Sequence, residues 1–377
     1  VEKILLAEGR DEYTGMSGDD TEKNAPTDGR NLSLEELARL ENEQAGGQKS
    51  GQNGVAGGSE TDGSSAASDR EGQSSGGIET RPGDSQNETG DTANSSGIGD
   101  FTAFLPEKQR TYNWSELTSY DALVREFYAI DPATAADETQ LNQKALLGRV
   151  LSVQKRTDDQ PQILIYHTHS QENYRDYAGS DGKGAVVSLG EELAKRLRAK
   201  GYQVWHDTTA YDMKSGHLDR SRAYTYACEG VTNLLQKYPS IQVILDVHRD
   251  GVSEQTHLVT QIEGKPTAQI MFFNGTSETP DGPIEYLANP CRKENLAFSF
   301  QMKWNADQIY PGFTRTIYLK GLRYNLHLRP RSALIEVGAQ TNTYEEAVNA
   351  MDPLAQLLDQ VLTGCCTRVG TFGTESA

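Results

Sequence analysis

Three histidines and a glutamate follow or end predicted strands, and these four residues are the best candidates for chemistry. His167 and His169 come directly after a continuous apolar run, and His248 directly follows a later one. Glu336 lies near the end of another such run. Imidazole nitrogens and carboxylate oxygens are the ligands of a catalytic zinc ion, and a further carboxylate can act as its base. The pattern therefore indicates a hydrolytic zinc site.

Other interpretations of these residues remain. A single histidine after a strand is more often a hydrogen-bonded polar residue than a ligand, but three of them on two strand ends, with Glu172 and Asp250 close by, favour a metal. The spacing does not form a closed motif such as HExxH. Ser170 lacks the G-x-S-x-G turn of a serine hydrolase, so that alternative is weaker. Residues 179–184 lack the phosphate-loop pattern and are interpreted as a turn.

Three arginines, Arg323, Arg329 and Arg331, precede the apolar run that holds Glu336. They are typical of a solvated loop that pairs with acidic residues. They are equally typical of a clamp for a substrate carboxylate, because the guanidinium group binds carboxylates with two parallel hydrogen bonds. The sequence leaves both interpretations open.

Strand and helix signals alternate from residue 161 onward. This alternation predicts an α/β fold with a mostly parallel central sheet flanked by helices, in which ligands bind at the carboxyl ends of the strands. Capping boxes predict helix starts at Ser188, with Glu191, and at Thr343, with Glu346. The predicted strands are 163–166, 203–206, 241–247, 268–273, 314–319 and 332–337, and the predicted helices begin near 188, 220, 293, 343 and 352.

The formal net charge of the 377 residues is −18, and most of it belongs to residues 1–100, which hold 21 acidic and 8 basic side chains. Residues 41–100 contain 14 Gly and 10 Ser and almost no large apolar residues, so they predict a disordered acidic linker. The excess acid argues against nucleic-acid and anionic-membrane partners. No apolar run approaches the length of about 18 residues that spans a bilayer.

The four cysteines show no CxxC spacing, so we interpret them as incidental thiols that leave the compartment open. The chain begins at Val1 and not at Met, which indicates a fragment or a processed form. We expect five segments: 1–40 with one candidate helix at 31–41, the linker 41–100, a pre-domain segment 101–150, a catalytic domain 151–364 and a tail 365–377.

The order of these motifs resembles a known family. Residues 160–362 are similar to stage II sporulation protein P of endospore-forming bacteria, and the N-terminal 150 residues add little beyond a fitting architecture. The motifs that carry the resemblance lie at residues 165–174, 246–251, 310–315, 324–331 and 334–347.

The resemblance implies a peptidoglycan hydrolase related to the zinc N-acetylmuramoyl-L-alanine amidases. Such an enzyme cleaves the amide between the lactyl group of N-acetylmuramic acid and L-Ala, and the family is also credited with endopeptidase activity on peptide cross-links. It acts outside the cytoplasm in engulfment, with stage II sporulation proteins D and M, from an N-terminal membrane anchor that this chain lacks. The linker would then let a tethered enzyme reach into the cell-wall mesh.

By position, the resemblance implies His169 and His248 as zinc ligands and Glu336 as the catalytic residue. His167 is the alternative to His169. The relatives take a glutamate ligand from just before the first long helix, where this chain has residues 184–187 without a carboxylate, so Glu172 is the candidate here.

The resemblance also leaves room for Arg249 or Arg331 to hold a stem-peptide carboxylate. Two other classes of protein remain as alternatives: a non-catalytic cell-wall-binding or scaffold protein of the same fold, and a cytosolic metal-dependent hydrolase of a small amide. The retained histidines and Glu336 favour catalysis over the first. The long Gly/Ser linker argues against the second, because a soluble enzyme has little use for a tether.

Overall fold

The computed structural model describes residues 108–112, 117–177 and 185–364. The predictions of a helix at 31–41, a linker at 41–100, a turn at 179–184 and a tail at 365–377 lie outside these residues. The helices are α1 (Tyr120–Phe127), α2 (Gln143–Gly148), α3 (Ala185–Ala199), α4 (Ala223–Lys237), α5 (Arg292–Ile309), α6 (Tyr344–Asn349) and α7 (Met351–Thr363).

Within the part of the chain that the structure describes, seven strands form the central sheet, and three two-stranded hairpins accompany it. The strands are β1 (Tyr128–Ile130), β2 (Ile163–Tyr166), β3 (Val204–His206), β4 (Met213–Lys214), β5 (His217–Leu218), β6 (Val243–Asp250), β7 (Val259–Ile262), β8 (Lys265–Ala268), β9 (Ile270–Gly275), β10 (Glu278–Thr279), β11 (Gly282–Pro283), β12 (Ile317–Lys320) and β13 (Ser332–Ala339).

The order of strands in the central sheet is β1-β12-β9-β13-β6-β2-β3. All neighbouring strands are parallel except β9 and β13, which run antiparallel to each other. The predicted α/β fold with a mostly parallel sheet is therefore confirmed. The one antiparallel pair divides the sheet into two parallel halves that run in opposite directions.

Successive side chains of a strand point to opposite faces, so each strand contributes to two different surfaces. One surface, which we call the covered face, is apolar and packs against α3, α5 and α7 in a single buried core. Burial of this surface provides the main driving force for folding. Its strand residues include Ile163, Ile165, Val243, Leu245, Val247, Phe272, Ile335 and Val337.

The opposite surface, which we call the site face, mixes apolar and ionisable residues. Helix α4 covers its β2 side, where Ala227, Val231 and Leu235 pack on Leu164 and Tyr166. A second small cluster covers the part near β9 through residues of the 322–326 loop. Between these two clusters the strands carry Asp246, His248 and Glu336, which alternation places on this face.

The start of α3 differs from the sequence prediction. The helix begins at Ala185 and not at Ser188, because the side chain of Asn173 accepts a hydrogen bond from the Ala185 N–H at 2.8 Å. Ser188 instead pairs with the Tyr177 hydroxyl. The cap comes from a residue 12 positions earlier, which a local capping pattern does not reveal.

The capping box at Thr343 and Glu346 is confirmed at the start of α6. Residues 117–150 join the same core as the rest of the described chain: β1 is an edge strand of the central sheet, and Leu146 of α2 lies in the core with residues of α5. The sequence did not predict β1, because three residues carry little periodicity. Within the described ranges, no helix combines the length and apolar character needed to cross a bilayer.

Candidate metal centre

One group of three metal-ligating side chains is found among the described residues. A ligand atom of each of His169, Glu172 and His248 lies within 4.8 Å of the others, and all three residues are buried. The sheet brings them together, because β2 and β6 are neighbouring parallel strands with Tyr166 opposite Asp246. The turn after β2 then carries His169 and Glu172 back toward His248.

Two of the spacings between ligand atoms, one to each oxygen of Glu172, are compatible with a single bound metal ion. His169 Nδ1 lies 3.4 Å from Glu172 Oε1, and His248 Nδ1 lies 3.6 Å from Glu172 Oε2. Ligands at zinc–ligand distances of 2.0–2.2 Å on a tetrahedron are about 3.3–3.6 Å apart. Two imidazoles and a carboxylate also match the chemistry of catalytic zinc, which keeps a fourth position open.

Asp246 orients His248 from the opposite side of the ring. Its Oδ1 lies 2.8 Å from His248 Nε2, a close ion-pair contact that lacks the alignment of a hydrogen bond. The same carboxylate accepts hydrogen bonds from the backbone N–H and the hydroxyl of Thr168, at 2.9 and 2.6 Å. Thus Asp246 ties the turn after β2 to the ring of His248 and leaves Nδ1 facing Glu172.

The charges of the three side chains are strongly coupled. Burial alone would lower the pKa of His248, but Asp246 and then Glu172 raise it well above its usual value. Burial alone would raise the pKa of Glu172, but His169 and His248 hold it well below its usual value. Burial lowers the pKa of His169. Positive charge at His248 is therefore favoured by both Asp246 and Glu172, and a cation bound at the group would be favoured by the same carboxylates.

Glu336 lies directly opposite His248 on the neighbouring strand β13. The residue as a whole is half-buried, but its Oε2 is enclosed and has no hydrogen-bond partner among the described residues. Burial raises the pKa of Glu336 to about 8; the His248 charge opposes this rise, and Asp250 and Glu172 add to it. A carboxyl group of this kind, beside a metal site, is suited to transfer protons near neutral pH.

His167, the alternative ligand, lies away from this group and under α3. Its Nδ1 is 2.8 Å from the Val247 carbonyl oxygen and its Nε2 is 3.0 Å from His206 Nε2. Gly190 allows this approach, because a Cβ at that position would lie 2.5 Å from the ring. Burial lowers the pKa of His167 to about 3. Both ring nitrogens therefore have protein partners on the covered face.

The structure places the two candidate arginines differently. Arg249 lies beside the group, but its backbone N–H donates to Glu172, and its guanidinium donates to the carbonyls of Asn173 and Asp250. Arg331 directly precedes β13 and lies five residues before Glu336. Five residues of a strand span about 16 Å, which separates the backbone of Arg331 from that of Glu336. Arg331 is not brought to the candidate site.

Ser170 is buried and donates its hydroxyl hydrogen to Asp212 at 2.5 Å. This hydrogen bond joins the turn after β2 to a carboxylate and not to a histidine. The contact fits a structural role for Ser170 in holding that turn in place.

A family model described as stage II sporulation protein P (SpoIIP) matches residues 30–359. The chain belongs to the stage II sporulation protein P family. The curated stage II sporulation protein P of Bacillus subtilis (strain 168) is 24% identical over 220 residues, which cover 54% of this chain and 52% of that protein. The chain thus matches about half the length of this curated member of the family.

Two solved structures also show likeness to this member of the stage II sporulation protein P family. The CwlD amidase of Clostridioides difficile, in complex with the GerS lipoprotein, is 11% identical with a TM-score of 0.37, covering 54% of this chain and 99% of that one. The catalytic domain of CwlV, an N-acetylmuramoyl-L-alanine amidase of Bacillus (Paenibacillus) polymyxa var. colistinus, is 13% identical with a TM-score of 0.32. This match covers 54% of this chain and 97% of that one. Family membership rests on the sequence matches and not on these structures.

Two residues that contact the site were not assigned to it from the sequence. Asp246 lies two residues before His248, and strand alternation puts both on the site face, which is a signal the sequence does contain. Tyr224, at the start of α4, places its ring edge-on to His169 with centroids 5.6 Å apart. Its hydroxyl is buried without a partner among the described residues, and no local pattern points to this contact.

Proposed function

We propose that this chain is a zinc-dependent peptidoglycan hydrolase that cleaves the amide between N-acetylmuramic acid and the L-Ala of the stem peptide. The observation that carries the proposal is the buried group of His169, Glu172 and His248 beside Glu336. Three buried ligands within reach of one ion and a neighbouring proton-transfer group are the parts that metal-assisted amide hydrolysis requires. Membership of the stage II sporulation protein P family supports peptidoglycan as the substrate.

The ligands in this proposal are His169 Nδ1, His248 Nδ1 and a carboxylate oxygen of Glu172. A zinc ion held by these residues would supply a water of lowered pKa and would polarise the scissile carbonyl. Glu336 takes the proton from the attacking water and returns it to the departing amine of L-Ala. The enclosed Oε2 of Glu336 has no protein partner among the described residues, so it is available for that proton.

Two contacts keep the ligands in position. Asp246 fixes the ring of His248, and the backbone N–H of Arg249 donates to Glu172 Oε2 at 3.0 Å. Outer contacts of this kind orient metal ligands and strengthen metal binding. Arg249 thus supports the site through its backbone.

The family resemblance extends the proposal to the setting of the enzyme. We include in it cleavage of peptide cross-links, action in engulfment with stage II sporulation proteins D and M, and attachment to the membrane outside the cytoplasm through a segment upstream of this chain. Analysis of the cleavage products separates the two bond types: amidase activity frees the amine of L-Ala, and endopeptidase activity frees amines within the stem peptides.

Purified peptidoglycan incubated with the chain tests the proposal. We expect release of stem peptides with a new L-Ala amine, loss of release after treatment with a chelator, and recovery when zinc is added back. Release that persists after complete removal of metal would contradict the zinc-dependent mechanism. Binding to peptidoglycan without any release would favour the non-catalytic alternative.

A further inference from the structure

A single arginine side chain spans the end of the strand that carries Glu336. The backbone N–H of Arg315 donates to the Ile270 carbonyl on β9, and its Nη1 lies 2.5 Å from Asp250 Oδ2 at the end of β6. Strand β13 lies between β9 and β6 in the sheet. The side chain of Arg315 therefore crosses β13 at the end where Glu336 is located.

Arg315 has hydrogen-bonding capacity to spare. Among the described residues the Asp250 carboxylate is the partner of its side chain, through Nη1, so Nε and Nη2 remain available to a ligand. Its side chain keeps 26% of its surface exposed. Arg249 also donates to the Asp250 carbonyl, so two guanidinium groups lie at the end of β6. The unused donors of the Arg315 guanidinium suit one carboxylate group.

Arg249 and Arg331 are less suited to this role. The guanidinium of Arg249 is held by the carbonyls of Asn173 and Asp250, and Arg331 begins at the far end of β13. Arg315 alone of the three combines exposure, unused donors and a position beside Glu336.

We propose that Arg315 binds a free carboxylate on the second residue of the stem peptide and thereby selects the substrate. The distance supports this assignment, since Asp250 lies two residues beyond His248, about 7 Å along the strand. A carboxylate on the residue after L-Ala lies about 6–7 Å from the scissile nitrogen in an extended peptide. The inference deepens the proposed hydrolase function and rests on it for the position of the scissile bond.

Two muramoyl peptides test the inference: one carries a free α-carboxylate on its second residue, and the other carries an amide there. We expect the zinc-loaded chain to prefer the carboxylate form by roughly 10–100-fold in kcat/KM, the value of a charge-assisted hydrogen-bond pair. Arg315→Gln should reduce this preference toward one, mainly through KM, and Arg315→Lys should retain part of it.

Arg196→Gln is the matched control. Arg196 has a similarly exposed side chain, also forms an ion pair, and lies on α3 over the covered face. The control should keep the preference. Thermal unfolding of all variants identifies any loss of this preference that arises from misfolding. If Arg315→Gln does not fold, Arg315→Lys still tests the role of Arg315, because it should lose part of the preference.

Calorimetric binding of both peptides to the full chain separates the two proposals. Tighter binding of the carboxylate form through Arg315, without cleavage of either peptide, would support the subsite and contradict the hydrolase. Cleavage with the same preference in wild type and Arg315→Gln would overturn the subsite and leave the hydrolase standing. Absence of any preference in both binding and cleavage would also overturn the subsite.

Discussion

The two faces of the sheet are made by alternate residues of the same strands, yet one face forms the apolar core and the other carries the ionisable residues of the candidate site. On the covered face, Val247 and Ile335 lie in an apolar core beneath helices. On the site face, the next residues along are ionisable: His248 is buried, and Glu336 is half-buried with its Oε2 enclosed. Burying ionisable groups costs stability unless they are paired, so the covered face must supply the stability that the site face lacks.

His167 and His169 show the same division within three residues. His167 turns to the covered face, where the Val247 carbonyl and His206 occupy its nitrogens. His169 turns to the site face, where its Nδ1 faces Glu172. Strand alternation alone would put residues 167 and 169 on the same face, so identical side chains acquire different chemistry here because the chain turns after β2. The predictions that follow separate the effects of the two faces.

The largest effect is expected from Glu336→Gln. This change keeps the shape of the side chain but removes its ability to take a proton, so hydrolysis should fall by about 10²–10⁴-fold. Metal content should stay unchanged, because Glu336 is not among the three proposed ligands. Release of stem peptides from sacculi and elemental analysis measure the two quantities, and wild-type activity in this variant would remove Glu336 from its role.

A smaller effect is expected from Asp246→Asn. The amide should orient His248 less well and make its imidazole a weaker ligand, so zinc affinity should fall by about 10–100-fold. Competition with a chelator measures this affinity. Asp212→Asn is a suitable control, because Asp212 is also buried and holds the same turn through Ser170 and Gln171 without contacting a histidine. Equal affinities in both variants would argue against the orienting contact.

The smallest effect on activity is expected on the covered face. Ile335→Val removes one methylene group from a fully buried side chain and should lower the free energy of unfolding by about 0.5–1.5 kcal/mol. The kcat/KM of the folded enzyme should change little, because Ile335 points away from the site. Chemical unfolding and kinetics test the separation, and a large loss of kcat/KM at full folding would show that the two faces are coupled.

Much of this arrangement was predictable from the sequence. The apolar runs predicted six of the seven strands of the central sheet, and the polar residues at or near their ends included His169, His248 and Glu336. Glu172 was noted from its closeness to His169 in the sequence, and the family resemblance made it the candidate ligand because the relatives' glutamate position holds no carboxylate here.

Other features depend on contacts between distant segments. The cap of α3 by Asn173 and the pairing of Arg315 with Asp250, 65 residues apart, follow from tertiary packing and leave no local pattern. The placement of His167 depends on the approach of α3 at Gly190. A choice between His167 and His169 therefore required the position of that helix as well as the strand.

The most direct test of the central claim is the metal content of two matched variants, His169→Gln and His167→Gln. We expect His167→Gln to retain one zinc ion per chain, because His167 faces α3 and His206. We expect His169→Gln to lose zinc together with hydrolysis, because it removes one of three ligands. Full zinc content in His169→Gln, with loss of zinc in a folded His167→Gln, would contradict the proposed site.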